Sequence, residues 1–101
     1  MAAIFKHEDN GIEGRFIPMV DGKEAGYIKY KYLENGNINA NGTLVYDDFK
    51  DQKLGMPLFD KLIEFVTEKG IKIYPTCPFV VKMFSRKPEL HHLLAADYKI
   101  E

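Results

Sequence analysis

The sequence predicts a mixed α+β and α/β fold, a twisted sheet that carries a βαβ unit and a C-terminal helix. Three observations lead to it. Two hairpin signals, Asp21-Gly22 and Asn35-Gly36, separate segments in which apolar and polar residues alternate. The period then lengthens to that of a helix, with Leu58, Leu62, Phe65 and Val66 on one face. A short apolar run, Ile71–Tyr74, follows that helix, so strands flank it on both sides as in a crossover unit.

Each element follows in order. Residues 2–7 offer a short strand. Residues 12–20 form the next, through Ile12, Phe16, Ile17, Met19 and Val20. Pro18 cannot donate to a ladder, so it implies a sheet edge or a bulge. Residues 24–33 alternate Ile28, Tyr30 and Tyr32 against Lys29 and Lys31. Residues 37–45 place Ile38, Ala40 and Leu44 on one face and Asn39, Asn41, Thr43 and Val45 on the other. Pro57 suits the first turn of the following helix, and Gly70 suits the position just past its end. Phe59 and Ile63 widen its apolar stripe, while Asp60, Lys61, Glu64, Glu68 and Lys69 lie largely outside it. The strands at 37–45 and 71–75, joined through this helix, are expected to be parallel. Pro78 opens a second helix that runs to about Arg86. Pro88 starts a further turn with Leu90, Leu93 and Leu94, and the tail Asp97–Glu101 is expected to be loose.

Composition narrows the function. A chain of 101 residues can bury one hydrophobic core, so residues 1–101 are expected to form a single domain. With 46% apolar and 29% charged residues it has the make-up of a soluble globular protein. A formal net charge of -1 provides no global field to draw in nucleic acid or an anionic membrane. The one cysteine, Cys77, excludes a disulfide within the chain and a cysteine-rich zinc site. The N-terminus has no long apolar run after a basic region, and no stretch approaches the ~20 apolar residues of a membrane span. The reducing cytoplasm is the expected compartment.

Two segments suit chemistry. The loop Tyr46–Met56 leads into a helix N-terminus, where free N–H groups and the dipole favour an anion. Every βα connection shares that geometry, so an ordinary loop is the competing reading. Cys77 stands just before Pro78, at the N-cap of the second helix, where a thiolate is favoured. A small buried apolar residue fits that place as well. His91 and His92 are adjacent on a helical turn and point different ways, which argues against a shared metal. His7 is isolated, and Tyr27, Tyr30 and Tyr32 sit where cross-strand packing explains them.

The run Ile71-Lys72-Ile73-Tyr74-Pro75-Thr76-Cys77-Pro78-Phe79-Val80, after Thr67-Glu68-Lys69-Gly70, resembles the signature of the short, cysteine-bearing GNAT acetyltransferases. Ile38, Thr43 and Val45 fall in register with that family's central strand, and Gln52, Leu54, Gly55 and Leu58 with its cofactor loop and helix. The resemblance covers about residues 11–95. It implies a minimal GNAT-like fold without the two helices that larger members place after their first strand. It implies acetyl-CoA as co-substrate between the strands at 37–45 and 71–75. Val45, Lys50, Asp51, Gln52, Lys53, Leu54, Gly55, Met56 and Phe79 would bind it, and Cys77 would be the candidate catalytic residue. The sequence departs from the family at Asp51 and Lys53, which hold glycine positions, at Gly42, where histidine is frequent, and at Phe79, where tyrosine is frequent.

The resemblance therefore implies an acetyl-CoA-dependent N-acetyltransferase acting on a primary amine, with a polyamine, a small metabolite and a protein lysine all open as acceptor. The acetyl group passes directly to the amine or first to Cys77. The loop departures motivate an alternative, a non-catalytic module of the same fold that binds CoA weakly or binds another protein. The expected state is a monomer or weak homodimer, with no nucleic acid or membrane as partner.

Overall fold

The computed structural model describes residues 4–98. The chain runs as β1 (Ile4–Asp9), β2 (Glu13–Val20), β3 (Lys23–Glu24), β4 (Gly26–Tyr32), β5 (Ile38–Val45), a 3-10 helix (Asp47–Gln52), α1 (Gly55–Lys69), β6 (Ile73–Pro75), α2 (Pro78–Arg86) and a second 3-10 helix (Pro88–Leu93). Among the described residues the strands form one sheet of six, in the order β1-β2-β4-β5-β6, with β3 paired to β2. Every pairing is antiparallel except that of β5 with β6, which is parallel. The mixed sheet with its βαβ unit is thus the one the sequence predicts.

Local chemistry sets the turns. Asp21 and Gly22 both take positive φ, 51° and 78°, as a tight hairpin demands. Asn10-Gly11 is a third hairpin dipeptide, and it joins β2 to a β1 that runs on to Asp9, two residues further than expected. The Asn10 Oδ1 accepts from the Ile12 and Glu13 amides, and Gly11 takes φ 85°. Residues 2 and 3 of the expected first strand lie outside the described residues. Pro18 is not at the sheet edge. It pairs with Phe5 of β1, at the point where β2 passes from β4 to β3. Gly70 caps α1 at φ 67°, and the Ile71 amide returns to the Val66 carbonyl, so β6 starts only at Ile73.

Both helices lie on one face of the sheet. α1 buries Leu58, Phe59, Leu62, Phe65 and Val66, and α2 buries Val80, Met83 and Phe84. They pack on Phe16, Ile28, Tyr30, Ile38, Ala40 and Ile73, and the Phe59 and Phe84 rings meet edge to face at 5.3 Å. Each fully buried Ile, Leu or Phe side chain contributes about 1.5–3 kcal/mol. The opposite face, with Arg15, Tyr27, Lys29 and Lys31, carries no helix among the described residues.

One expectation is overturned within β5. Lys29 pairs with Gly42 while Tyr30 pairs with Ala40, so Asn41 is an extra residue, a β-bulge. One inserted residue flips the facing of everything beyond it. Thr43, opposite Ile28, and Val45, opposite Gly26, therefore face the helices together with Ile38 and Ala40. Leu44 turns to the helix-free face, where it is 44% exposed. The tail also differs from the expectation. Leu94 bridges to Ile73, the Ala95 amide donates to the Ile73 carbonyl, and the Tyr98 ring meets Tyr74 at 5.3 Å. Lys99–Glu101 lie outside the described residues.

Candidate active site

β5 and β6 part company within one residue. They pair at Ile38–Ile73, Asn39–Tyr74 and Ala40–Pro75. The next two amides, of Thr76 and Cys77, both turn onto the Ala40 carbonyl at 3.0 Å. β6 ends there, and the chain enters α2. β5 continues to Val45 with β4 as its ladder partner. The Tyr46 amide donates to Ala25, so strand alternation points the Thr43 and Val45 amides away from β4, into the opening. The Asn39 side-chain amide ties the split from below, donating to the Tyr74 carbonyl at 2.8 Å and to Thr76 Oγ1 at 3.2 Å.

Cys77 closes one side of this opening. It is the N-cap of α2, with Pro78 as the first helical residue, and it is 5% exposed. Its thiol donates to Thr43 Oγ1 at 3.3 Å. The first turn of α2 holds no acidic residue, so the helix dipole is unopposed where the sulfur sits. Thr43 was not among the sequence candidates, because without the bulge it would face away from the helices.

α1 begins beside α2. A Cβ on Gly55 would stand 3.2 and 3.3 Å from two atoms of the Phe79 ring, so the absence of a side chain lets the two helix starts approach. The first helical bond of α1 runs from the Leu58 amide to the Leu54 carbonyl, and Pro57 has no N–H. The Gly55 and Met56 amides precede that bond and remain as donors. Leu54 is buried, Met56 is exposed, and Val45 packs half-buried against the core. The structure thus brings Cys77 to Thr43 and Gly55 to Phe79, and Val45 shares the Thr43 face of β5.

Lys50, Asp51 and Gln52 are exposed on the 3-10 helix, and no hydrogen bond or ion pair joins them to Cys77, Thr43 or Phe79 among the described residues. Lys50 pairs instead with Asp47 at 3.0 Å. Of the two residues at glycine positions, Asp51 keeps negative φ, whereas Lys53 takes φ 54° and ψ 50°.

A second polar group was invisible in the sequence. His7 Nε2 lies 2.6 Å from the Tyr30 hydroxyl, and the Tyr30 and Tyr32 hydroxyls donate to Asp9 Oδ2 at 2.7 and 2.5 Å. Since Tyr30 has one proton and gives it to Asp9, His7 Nε2 is the donor in its own bond. Burial lowers the His7 pKa, partly countered by Asp9. Burial would raise that of Asp9, but the hydrogen bonds from Tyr32, Tyr30 and the Gly11 amide outweigh it and hold the carboxyl low. Burial, then Asp9, pushes the Tyr30 phenol far up. The partners are 21 to 23 residues apart in sequence, so no local pattern marks them.

The comparisons with known proteins follow from this geometry. The sequence matches the GCN5-related N-acetyl-transferase family over residues 15–93. Comparison with curated proteins finds no match. The structure is similar to that of a GCN5-like candidate N-acetyltransferase from Staphylococcus aureus, solved in solution by NMR. The TM-score is 0.66 at 21% identity, over 89% of this chain and 87% of that one. It is also similar to the crystal structure of a ribosomal-protein-alanine N-acetyltransferase from Brucella melitensis biovar Abortus 2308. That TM-score is 0.59 at 21% identity, over 90% of this chain and 70% of that one. At such identities the likeness is one of fold, and the family match covers most of the chain. A mixed sheet whose parallel strands part beside two helix N-termini, and a sequence match that spans those elements, together place this chain in the GCN5-related N-acetyl-transferase family.

Proposed function

We propose that this chain is an acetyl-CoA-dependent N-acetyltransferase acting on a primary amine, with the thioester held in the opening between β5 and the start of α2. The observation that carries this reading is the turn of both the Thr76 and Cys77 amides onto the Ala40 carbonyl, which ends the parallel pairing and frees the far half of β5. The residues present fit such a co-substrate. The Thr43 and Val45 amides face the opening and suit an extended amide chain, and the Gly55 and Met56 amides at the start of α1 suit a phosphate oxygen.

The co-substrate supplies an activated acetyl carbon. The amine nitrogen attacks that carbon, and a C–N bond forms as the carbonyl oxygen takes negative charge. The C–S bond then breaks, and the leaving sulfur takes up one proton while the nitrogen gives one up. An amide aimed at the developing oxyanion stabilises the transition state more than the ground state. In this reading Cys77 exchanges its bond to Thr43 Oγ1 for one to the leaving sulfur, gives that sulfur its proton and regains the one that the nitrogen releases. In a covalent alternative the Cys77 sulfur receives the acetyl group first. Activity of Cys77→Ala within about threefold of the parent would exclude the covalent route; a loss of about a thousandfold, with the acetylated enzyme trapped in the parent, would establish it.

A specific observation supports a second reading, a non-catalytic binding module. The loop ahead of α1 carries Asp47, Asp48 and Asp51, and Lys50 is already paired with Asp47. Calorimetric titration with acetyl-CoA, with CoA as control, separates the two. Micromolar binding supports the enzyme reading, and no heat at millimolar ligand would leave the fold as a scaffold for another partner.

A further inference from the structure

The helix-free face of the sheet carries a cavity of about 420 Å³. Its lining includes Glu8, Asp9, Glu13, Arg15, Lys29 and Asn41. The strand register explains its position. Glu8 pairs with Arg15, Arg15 with Lys29, and Lys29 with Gly42, so one row of side chains crosses four strands. Gly42 contributes no side chain to that row, and the Lys29 stem lies over it, 2.5 Å from where a Cβ would stand. Asn41, the bulged residue, closes the end of the cavity. The residue before it is Ala40, whose carbonyl receives the Cys77 amide. The cavity and the Cys77 opening are therefore the two faces of one bulge.

The charges around the cavity are unequally committed. Arg15 Nε donates to Glu8 at 2.8 Å, and Lys6 reaches the same carboxylate at 3.4 Å. Asp9 holds its two phenols and the Gly11 amide. Glu13 and Lys29 have no ion pair among the described residues, and register alone sets Lys31 opposite Glu13. The uncommitted cation lies at the bulge end, and the uncommitted carboxylate lies at the hairpin end. Arg15 is directly opposite Lys29, and Glu13 is two residues further along the same strand, which is roughly 7 Å.

We propose that this cavity receives the acetyl acceptor, and that the acceptor is an aliphatic amine bearing a second cationic group a few methylenes away. The inference rests on the acetyltransferase reading for its chemistry but not for its binding. The distal ammonium sits against Glu13, which shares the helix-free face with Arg15 and Lys29. The reacting nitrogen sits beside Lys29 and Asn41, next to the bulge. There the Lys29 charge disfavours the ammonium and favours the neutral amine that can attack. A ligand with a carboxylate at its distal end would meet Glu13 and be repelled.

The test uses the full chain, labelled with nitrogen-15 and titrated separately with 1,4-diaminobutane, butylamine and 4-aminobutanoate. Acetyl-CoA affinity is measured by calorimetry on the same sample. The diamine is expected to shift the amides of Glu13, Arg15, Lys29 and Asn41, and to bind at least tenfold tighter than butylamine. The zwitterion is expected to bind weakest. Glu13→Gln should cost the diamine about tenfold in affinity, leave butylamine within twofold, and raise KM for the diamine more than it lowers kcat. Equal binding of all three ligands, tightest binding of the zwitterion, or diamine shifts confined to other strands would overturn the proposal. Acetyl-CoA binding without diamine binding would sink this inference alone. Diamine binding without acetyl-CoA binding would sink the acetyltransferase reading and leave a dication site.

Discussion

At the scale of single residues, conformation and protonation carry more information than identity. Lys53 takes the left-handed conformation that costs a side-chain-bearing residue roughly 1 kcal/mol relative to glycine. The family pattern has glycine there, and the backbone still adopts the geometry glycine would choose. Lys53→Gly is therefore expected to raise unfolding stability by up to about 1 kcal/mol, less the entropy that glycine adds to the unfolded chain. Urea denaturation reads this directly, and an unchanged or lower midpoint would count against strain at Lys53. Tyr30 presents the opposite case, a buried side chain whose polar tip is fully used. Tyr30→Phe leaves His7 without its acceptor and Asp9 short of a donor. The expected cost is about 1–3 kcal/mol, with a rise in the Asp9 pKa visible by carbon-detected titration.

At the scale of elements, the β5 bulge decides the site. Read without it, the strand sends Thr43 and Val45 to the face opposite Ala40. With it, those residues line the helix side, and Thr43 reaches Cys77. The elements themselves were legible: hairpin dipeptides, the stripe from Leu58 to Val66, Pro78 and Gly70 are local signals with local causes. A bulge is set by pairing across strands, so five or six residues of sequence do not reveal it. The pairing is also tight. A Cβ on Gly26 would stand 2.2 Å from the Leu44 carbonyl oxygen and 2.9 Å from the Val45 Cα, both backbone atoms. Gly26→Ala must push β4 from β5, and a loss of more than about 2 kcal/mol is expected. The amide cross-peaks of Leu44 and Val45 should move most, and a stability within 0.5 kcal/mol of the parent would contradict the tight pairing.

At the scale of the whole molecule, the network on β1, β2 and β4 sets the response to acid. His7 stacks on Phe16 at 4.1 Å and meets Phe65 edge-on at 5.1 Å, and its folded pKa is below the ordinary 6.5. The unfolded chain thus takes up the proton first as pH falls. The contribution of His7 to stability is constant above about 6.5 and declines below it, down to the folded pKa. Asp9 adds a second loss at lower pH. Its folded pKa lies below 3.8, so its contribution is present above that value and disappears as pH falls through the folded one. Urea midpoints from pH 8 to 4 should show the first decline, and His7→Gln should flatten it. An unchanged slope in that variant would assign the decline to other groups.

The sequence by itself determined the class of the fold, the order of its elements, their main boundaries and, through Ile71–Val80, the family resemblance. Those properties rest on periodicity, on turn dipeptides and on proline and glycine, whose effects act over one to five residues. Tertiary structure alone decided that Cys77 meets Thr43, that Gly55 touches Phe79, and that His7, Asp9, Tyr30 and Tyr32 share protons. It also decided that a charged cavity backs onto the bulge. The contacts of Cys77 with Thr43, of Gly55 with Phe79 and of Asp9 with the two tyrosines join residues from 21 to 34 positions apart. Such meetings depend on the register between strands, and one extra residue in β5 is enough to reverse which side chains face one another.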